Sequence, residues 1–214
     1  MNNDFIGQSI ILDESFIVSD HFISIKQAIV SRLEQELDTR LGYHNTAHTL
    51  DVLKQAVEIA KEEGVDDEKD LLLLKIAAVF HDSGFLLTYR GHEEKSCEIA
   101  IDALKNTFDE TDLKKICGMI MATKIPQSPK NLLEQIICDA DLDYLGRDDF
   151  GPISDSLQKE FLSFKIIPED AVWDHIQIGF FETHRYFTAT ANKKRNLKKM
   201  QHLQMLKERS NRLT

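Results

Sequence analysis

The segment Leu71-Leu72-Leu73-Leu74-Lys75-Ile76-Ala77-Ala78-Val79-Phe80-His81-Asp82 decides how this chain can fold. Its first ten positions are apolar except for Lys75, and their leucine and alanine content favours a helix over a buried strand. The acids Asp66-Asp67-Glu68 precede it, as suits the start of a helix. A helix that is apolar on almost every side lies in the centre of a domain. Its last two residues are ionisable and need partners, because an unpaired buried polar group costs several kcal/mol.

Helical periodicity also governs the sequence before this segment. Apolar residues recur at three- and four-residue steps in residues 21–40 and again in residues 45–63. Gly42 breaks the first pattern, and Gly64 ends the second as a glycine at a helix C-terminus does. The first twenty residues are only weakly periodic, and they are predicted to form a short helix or an extended lead-in.

After His81-Asp82, the sequence predicts a loop to about Gly91 and then six more helices. Their predicted ranges are 92–107, 110–123, 129–145, 153–164, 171–191 and 193–208. Prolines fall where a missing N–H does least harm. Those placed between helices are Pro126, Pro152 and Pro168, and the one at a helix start is Pro129. With no convincing alternating strand pattern, the chain is predicted to be all-α, a single helical bundle with a C-terminal helical extension.

Composition is that of an ordinary globular protein, with 42% hydrophobic and 29% charged residues over 214 positions. The three cysteines, Cys97, Cys117 and Cys138, contain no CxxC pair, which argues against a disulfide framework and against a thiolate zinc site. The N-terminus lacks a signal-peptide pattern, and no apolar run approaches the roughly eighteen residues needed to span a membrane. We therefore expect a cytoplasmic location, with no membrane partner.

Charge is unevenly distributed along the chain, whose net charge is −10. Residues 193–212 contain eight Lys or Arg and one acid, Glu208, so this tail is basic while the remainder is strongly acidic. The tail is interpreted as a solvated helix or as a contact for a polyanion or a phosphate-bearing substrate. Binding of nucleic acid over a broad surface is not expected, because phosphate contacts need clustered positive charge.

Three separated stretches combine imidazoles and carboxylates: Tyr43-His44-Asn45-Thr46-Ala47-His48, His81-Asp82, and Cys138-Asp139-Ala140-Asp141-Leu142-Asp143. Each stretch taken alone also has an ordinary structural explanation. The first could be a histidine pair on one helix face, the second a helix cap and the third a solvated acidic face. The acids of the third stretch lie among apolar residues, however, and deeply placed carboxylates usually pair with cations. Two His and two Asp suit a divalent ion such as Mn, Fe, Co, Ni or Mg. Such an ion would activate water and polarise a phosphoryl group.

This set of motifs resembles the H…HD…D signature of the HD-domain metal-dependent phosphohydrolases, over roughly residues 25–150. The segment Tyr43-His44-Asn45-x-x-His48, continuing through Asp51-Val52, is also similar to that of class I cyclic-nucleotide phosphodiesterases of the same superfamily. The resemblance implies an all-α bundle with a metal in a central cleft. Its implied ligands are His48, His81, Asp82 and Asp141. His44 is implied to act as proton donor or substrate contact.

The resemblance also implies a division of the chain. Residues 1–24 would form an N-terminal lead-in, residues 25–150 the metal-binding helical core, and residues 151–214 C-terminal helices that pack on the core and carry the basic tail.

Asp139 is a rival of Asp141 for the last ligand position, because residues two apart on a helix point about 200° from each other. The family pattern places a leucine after or near the ligand, which favours Asp141. The other aspartate would then cap a helix, orient a ligand histidine or bind a basic side chain. In Gly91-His92-Glu93, His92 could bind a second ion, hold a water or contact phosphate, or it could face solvent at a helix start. The candidate catalytic residues are His44, His92 and Asp82.

The chain departs from the family where many members continue the motif as HD-x-Gly-Lys, because Phe85 stands in the lysine position. This argues against close kinship with the cyclic di-GMP branch. Positive groups for the substrate phosphate must then come from elsewhere, although each candidate also fits an ordinary surface charge. The candidates are Arg90, Lys124, Arg147 and Arg185, together with His184.

The sequence thus predicts a metal-dependent phosphatase or phosphodiesterase acting on a nucleotide or another small phosphate. An alternative is a catalytically degenerate HD domain that binds a nucleotide as a sensor, and a third interpretation is a helical adaptor without metal. The expected partners are a small phosphorylated substrate and one or two divalent ions. A homodimer is left open.

Overall fold

Residues 14–169 and 172–212 are described by a computed structural model, and this part of the chain consists of helices joined by turns and loops. It contains nine α-helices and no β-strand, which confirms the predicted all-α class. The helices are α1 (Glu14–Glu36), α2 (Thr46–Glu62), α3 (Glu68–Phe80), α4 (His92–Leu104), α5 (Glu110–Ala122), α6 (Leu132–Asp141), α7 (Phe150–Ser163), α8 (Trp173–Thr183) and α9 (Ala189–Asn211). None of these helices is both long enough and apolar enough to cross a membrane.

The core is centred on α3, the apolar segment quoted first. Eight of its thirteen residues are buried, and it packs against α1, α2, α5 and α6. Asp67 caps its N-terminus by accepting a hydrogen bond from the backbone N–H of Asp70 at 2.8 Å. Full burial of a side chain such as Leu73 contributes roughly 1.5–3 kcal/mol. Because α3 runs through the interior, His81 and Asp82 at its end are buried as well.

Helices α7, α8 and α9 form a second layer beside this core. Their apolar side chains pack with residues that follow α1 and α6, in a cluster of Tyr43, Leu142, Tyr144, Leu145, Phe150, Phe181, Leu203 and Leu206. Asp139 ties the two layers together, since its carboxylate accepts the backbone N–H groups of Phe187 at 2.9 Å and Thr188 at 2.7 Å. The hydroxyl of Thr188 donates to the same carboxylate at 2.7 Å.

The domain limits at residues 24 and 150 stay a prediction, and residues 1–13 of the lead-in lie outside the described part.

The basic helix α9 docks on the acidic body of the protein. Five of its cations pair with carboxylates of other elements: Lys194 with Glu62, Arg195 with Asp143, Lys198 with Asp148, Lys207 with Glu182 and Arg209 with Asp174. These ion pairs favour the interpretation of the tail as a solvated, packed helix over that of a free polyanion-binding surface.

The prediction of one helix over residues 171–191 is wrong. Helix α8 ends at Thr183 and α9 begins at Ala189, with a non-helical connection between them. The backbone of this connection donates two N–H groups to Asp139 instead of to carbonyls of a preceding helical turn. A long-range hydrogen bond therefore overrides the local helical pattern.

Two proline placements also differ from the prediction. Helix α6 starts at Leu132 and not at Pro129, because Asn131 caps it by accepting the N–H of Glu134 at 3.0 Å. Pro152 lies in the first turn of α7 and not between helices. A proline is tolerated there because the N–H groups of a first turn have no partner within the helix.

Candidate metal centre and adjoining cavity

Four side chains from three separate stretches meet at one buried point. Nε2 of His48 lies 3.4 Å from Nε2 of His81 and 3.4 Å from Oδ2 of Asp82. Oδ2 of Asp82 lies 3.2 Å from Nε2 of His81. Oδ1 of Asp141 lies 3.2 Å from the His48 nitrogen and 3.7 Å from the His81 nitrogen. His48, His81 and Asp82 offer donors close enough together to hold a metal ion. Asp141 is a candidate fourth ligand, because its Oδ1 lies beside both histidine nitrogens.

Helix ends position these side chains. His48 lies in the first turn of α2, where Asn45 caps the helix by accepting two backbone N–H groups. His81 directly follows α3, and its Nδ1 lies 2.8 Å from the carbonyl oxygen of Ala78. This contact fixes the ring so that Nε2 faces the cluster. Asp141 is the last residue of α6.

The cluster fits a cation. Ligand atoms about 2.1 Å from one ion are about 3.0–3.4 Å apart at right-angled or tetrahedral geometry, close to the separations above. Oδ2 of Asp82 is buried and makes no hydrogen bond within the described part of the chain. Burial alone would lower the pKa of His48, but contacts with Asp141 and Asp82 raise it to about 10. The site therefore attracts positive charge, as a metal site does.

The two rival aspartates have separate surroundings. Asp141 faces the cluster, with 15% of its side chain exposed. Asp139 is fully buried and caps the start of α9 through Phe187 and Thr188. Burial raises the pKa of Asp139 to about 6, although these hydrogen bonds oppose the rise. The geometry therefore favours Asp141 as the fourth ligand and gives Asp139 a capping role.

His92 and Glu93 lie on the other side of Asp82. Nε2 of His92 is 3.5 Å from Oδ1 of Asp82 and 3.6 Å from Oε1 of Glu93. Nδ1 of His92 lies 3.1 Å from the carbonyl oxygen of Tyr89. His92 is thus directed at the centre and not at solvent, and Asp82 presents one oxygen to each side. His92 and Glu93 do not belong to the group of described residues whose ligand atoms are close enough together for one ion, so a second ion at His92 stays a prediction.

His44 is held by a carboxylate that the sequence analysis missed. Glu160 of α7 is wholly buried, and its Oε1 contacts Nδ1 of His44. The same carboxylate accepts the backbone N–H groups of Tyr43 at 2.8 Å and His44 at 3.0 Å, and the hydroxyl of Tyr89 at 2.7 Å. Because Nδ1 faces Glu160, the other ring nitrogen of His44 is left for the cavity. No local motif marks Glu160, since it lies 116 residues from His44 in sequence.

A cavity of about 310 Å³ adjoins the centre. His44, Asp82, His92 and Asp141 line one end of it. The remaining wall is mainly apolar and rich in aromatic residues, which include Tyr144, Phe150, Phe161, Trp173, Phe180 and Phe181. The cavity wall therefore has a polar part next to the His–Asp cluster and a larger apolar part.

A short hydrogen-bond chain at the apolar end fixes the orientation of Gln177. The indole N–H of Trp173 donates to Oγ of Ser154 at 2.9 Å, and this hydroxyl donates to Oε1 of Gln177 at 2.6 Å. An indole nitrogen can only donate, so the single proton of Ser154 must go to the amide oxygen. Nε2 of Gln177 is buried and has no hydrogen-bond partner within the described residues. It is a free donor at the cavity wall that sequence reasoning did not find.

Phe85, in the position of the family lysine, is packed between two imidazoles. Its ring centroid lies 4.4 Å from that of His44 and 3.9 Å from that of His92, and both pairs are stacked. Phe85 is thus an apolar spacer between the two candidate catalytic histidines.

The four cations predicted to bind the substrate phosphate are not among the described residues lining this cavity. Arg90 and Arg185 are exposed. Lys124 pairs with Glu94 on the surface. Arg147 borders a separate cavity behind His48 and Asp141, where carboxylates hold it. Pairing with nearby acids, which spacing in the sequence does not reveal, accounts for the positions of Lys124 and Arg147. A phosphate-binding role for the four cations stays a prediction that the lining of this cavity does not support.

The carboxylates that hold Arg147 surround its guanidinium. Asp51 and Asp149 each lie 2.5 Å from it, and Asp143 lies 3.5 Å away. Three acids around one guanidinium leave no net positive charge for a phosphate.

Fold and site together define a helical protein with a buried His–Asp cluster beside an apolar cavity. Residues 46–143 match the family model of the HD domain. This segment is thus similar to the HD domain, as the resemblance predicted, and it contains His48, His81, Asp82 and Asp141.

The fold is also similar to a crystal structure described as a predicted HD superfamily hydrolase, from an uncultured Thermotogales bacterium. The two are 22% identical, with a TM-score of 0.60, and the match covers 95% of this chain and 100% of the other. At this identity the likeness concerns the fold. No curated protein gave a significant match to the sequence.

Proposed function

We propose that this protein is a metal-dependent phosphohydrolase that cleaves a phosphomonoester or phosphodiester of a nucleotide or similar small phosphate. The observation that carries this proposal is the convergence of His48, His81, Asp82 and Asp141 at one end of a cavity large enough for a small organic phosphate. A divalent ion bound at this end would lower the pKa of a coordinated water and polarise the phosphoryl oxygens.

The surrounding residues have roles of their own. One ring nitrogen of His44 contacts Glu160, and the other is directed at the cavity. His44 is therefore suited to deliver a proton to the leaving oxygen. Burial opposes ionisation of Asp82, but its contacts with His81 and His48 hold the pKa of this carboxyl well below its usual value. Asp82 therefore stays an anion that can bind a cation.

The apolar end of the cavity suits a flat, uncharged ring such as a nucleobase. Aromatic walls offer stacking surfaces. The free N–H donor of Gln177 suits a ring nitrogen or carbonyl oxygen as acceptor, because a buried donor without a partner is costly until a ligand supplies one. Both features support a nucleotide over a small inorganic or sugar phosphate.

The experiment is a metal analysis followed by a substrate screen. Purified protein is assayed for bound metal, and turnover is measured on p-nitrophenyl phosphate, bis-p-nitrophenyl phosphate, and linear and cyclic nucleotides with Mn²⁺, Co²⁺, Ni²⁺ or Mg²⁺ added. His81→Ala should abolish both metal binding and turnover, whereas the matched control His175→Ala, at an exposed histidine of α8, should change neither.

The outcomes separate the candidate functions. Bound metal and nucleotide without turnover of any phosphate would favour the sensor, for which the missing lysine at Phe85 is the supporting observation. A protein that binds neither metal nor phosphate compounds would contradict both.

A further inference from the structure

We propose that the cavity accepts esters with a single phosphate group and discriminates against di- and triphosphates. This inference rests on the proposed function and specifies its substrate class. The charge of the cavity wall is its basis. Asp82, Glu93 and Asp141 line the cavity, whereas no Lys or Arg does so among the described residues.

The imidazoles that line the cavity do not change the negative charge of its wall. His44 contacts Glu160, and His92 contacts both Asp82 and Glu93. Any positive charge on either ring is therefore matched by a neighbouring carboxylate. A divalent ion held by Asp82 and Asp141 would then be the cation within reach of the substrate, and its open positions can take the oxygens of one phosphate group.

Two cations that lie next to lining residues in sequence are already paired. Lys124, between the cavity residues Thr123 and Ile125, contacts Glu94 on the surface. Arg147 is enclosed by carboxylates on the far side of the centre, as described above. Neither is free to compensate a second phosphate.

An additional phosphate would also meet apolar surface in both directions. Towards the interior it faces the aromatic wall, exemplified by Phe150 and Phe181. Towards the mouth it faces Ile125 and Ile176, which line the cavity and are 53% and 37% exposed. An anion placed against such surface loses water without gaining a partner.

The test compares AMP, ADP and ATP as ligands of the Mn-loaded full chain. Their affinities are measured by equilibrium dialysis and by inhibition of p-nitrophenyl phosphate hydrolysis. The concentration of free Mn²⁺ is buffered at the same value in every measurement. AMP is expected to bind about 30-fold or more tightly than ATP, with ADP between them. Ile176→Lys, which adds a cation at an exposed helical position of the mouth, should narrow this ratio about tenfold. The matched control Ile176→Gln should leave the ratio as in the wild type.

The two proposals fail differently. Equal or tighter binding of ATP in the wild type, or the same ratio in Ile176→Lys and Ile176→Gln, would overturn the single-phosphate inference even if turnover is observed. Selective AMP binding without hydrolysis of any substrate would overturn the proposed function but keep this inference. Failure of all three nucleotides to bind would count against it.

Discussion

Replacement of Glu160 by Gln is expected to slow turnover about 10²-fold or more while the metal stays bound. The wild-type carboxylate serves the backbone N–H groups of Tyr43 and His44, the hydroxyl of Tyr89 and Nδ1 of His44. A glutamine has one acceptor oxygen, and if this serves the two backbone groups, its NH₂ group faces Nδ1 of His44. That nitrogen must then accept instead of donate. The ring of His44 is then held in the other tautomer, so the nitrogen that faces the cavity no longer has its wild-type role and the acid–base contribution of about 10²–10⁴ is lost.

The cost in stability follows from the same contacts. In Glu160→Gln, the two backbone hydrogen bonds become neutral and the contacts of the carboxylate with Tyr89 and His44 are altered or lost, so the free energy of unfolding should fall by about 1.5–3 kcal/mol. Glu160→Ala leaves two backbone N–H groups and the hydroxyl of Tyr89 without an acceptor in the interior, for which we expect about 3–5 kcal/mol. The side chain of Glu160 is 0% exposed, which leaves no ready access for replacement water.

The assay separates positioning from general damage. Metal content, kcat, KM and urea unfolding are measured for Glu160→Gln and for Tyr89→Phe, which removes one donor and keeps the carboxylate. Tyr89→Phe should lose no more than about 1 kcal/mol and less than tenfold in kcat. Histidine ¹⁵N spectra should report a changed tautomer of His44 only in Glu160→Gln. Wild-type kcat in Glu160→Gln would refute the role given to this carboxylate, and so would a kcat loss explained by lost metal.

Three further predictions concern other parts of the molecule. His81→Ala or Asp82→Ala should abolish metal binding and keep most helix content, as measured by metal analysis and circular dichroism; full metal occupancy in either would contradict the ligand assignment. Asp139→Ala should keep the metal but lose about 2–4 kcal/mol in urea unfolding, because Phe187 and Thr188, the N-cap of α9, lose their hydrogen bonds to the carboxylate. Asp141→Ala should show the opposite pattern, and exchanged results would exchange their roles. Burial, and then the ammonium of Lys199, lower the pKa of His184 to about 3, below the unfolded value of about 6.5. Since the unfolded chain takes up the proton first, stability should fall as pH drops from 7 to 5, by up to about 2 kcal/mol from this group. His184→Gln in the metal-loaded protein should show a correspondingly shallower decline, and an unchanged slope would argue against a buried neutral imidazole.

The parts of the fold that the sequence predicted are those set by local pattern. Helix α3 and its terminal His81-Asp82 pair were predictable because an apolar run and two ionisable residues are adjacent in the chain. The break between α8 and α9 was not, because it depends on Asp139, about fifty residues earlier.

The same distinction applies to the candidate site. Its metal-binding side chains come from short recognisable segments, whereas Glu160 and Gln177 gain their roles only through contacts made in the folded chain. Lys124 is the opposite case. Its place in the sequence made it a candidate for phosphate binding, but in the folded chain it pairs with Glu94.

The bond from Asp139 to the start of α9 has a consequence for the autonomy of the segment that matches the HD-domain family. Residues 46–143 supply the carboxylate, but the groups that satisfy it, at Phe187 and Thr188, lie far outside that segment. In an excised fragment of these residues, the carboxylate of Asp139 would lose its partners at Phe187 and Thr188. This unpaired carboxylate would lie two positions before Asp141. The matched segment is thus not self-sufficient in hydrogen bonding, and the start of α9 supplies partners that the segment lacks.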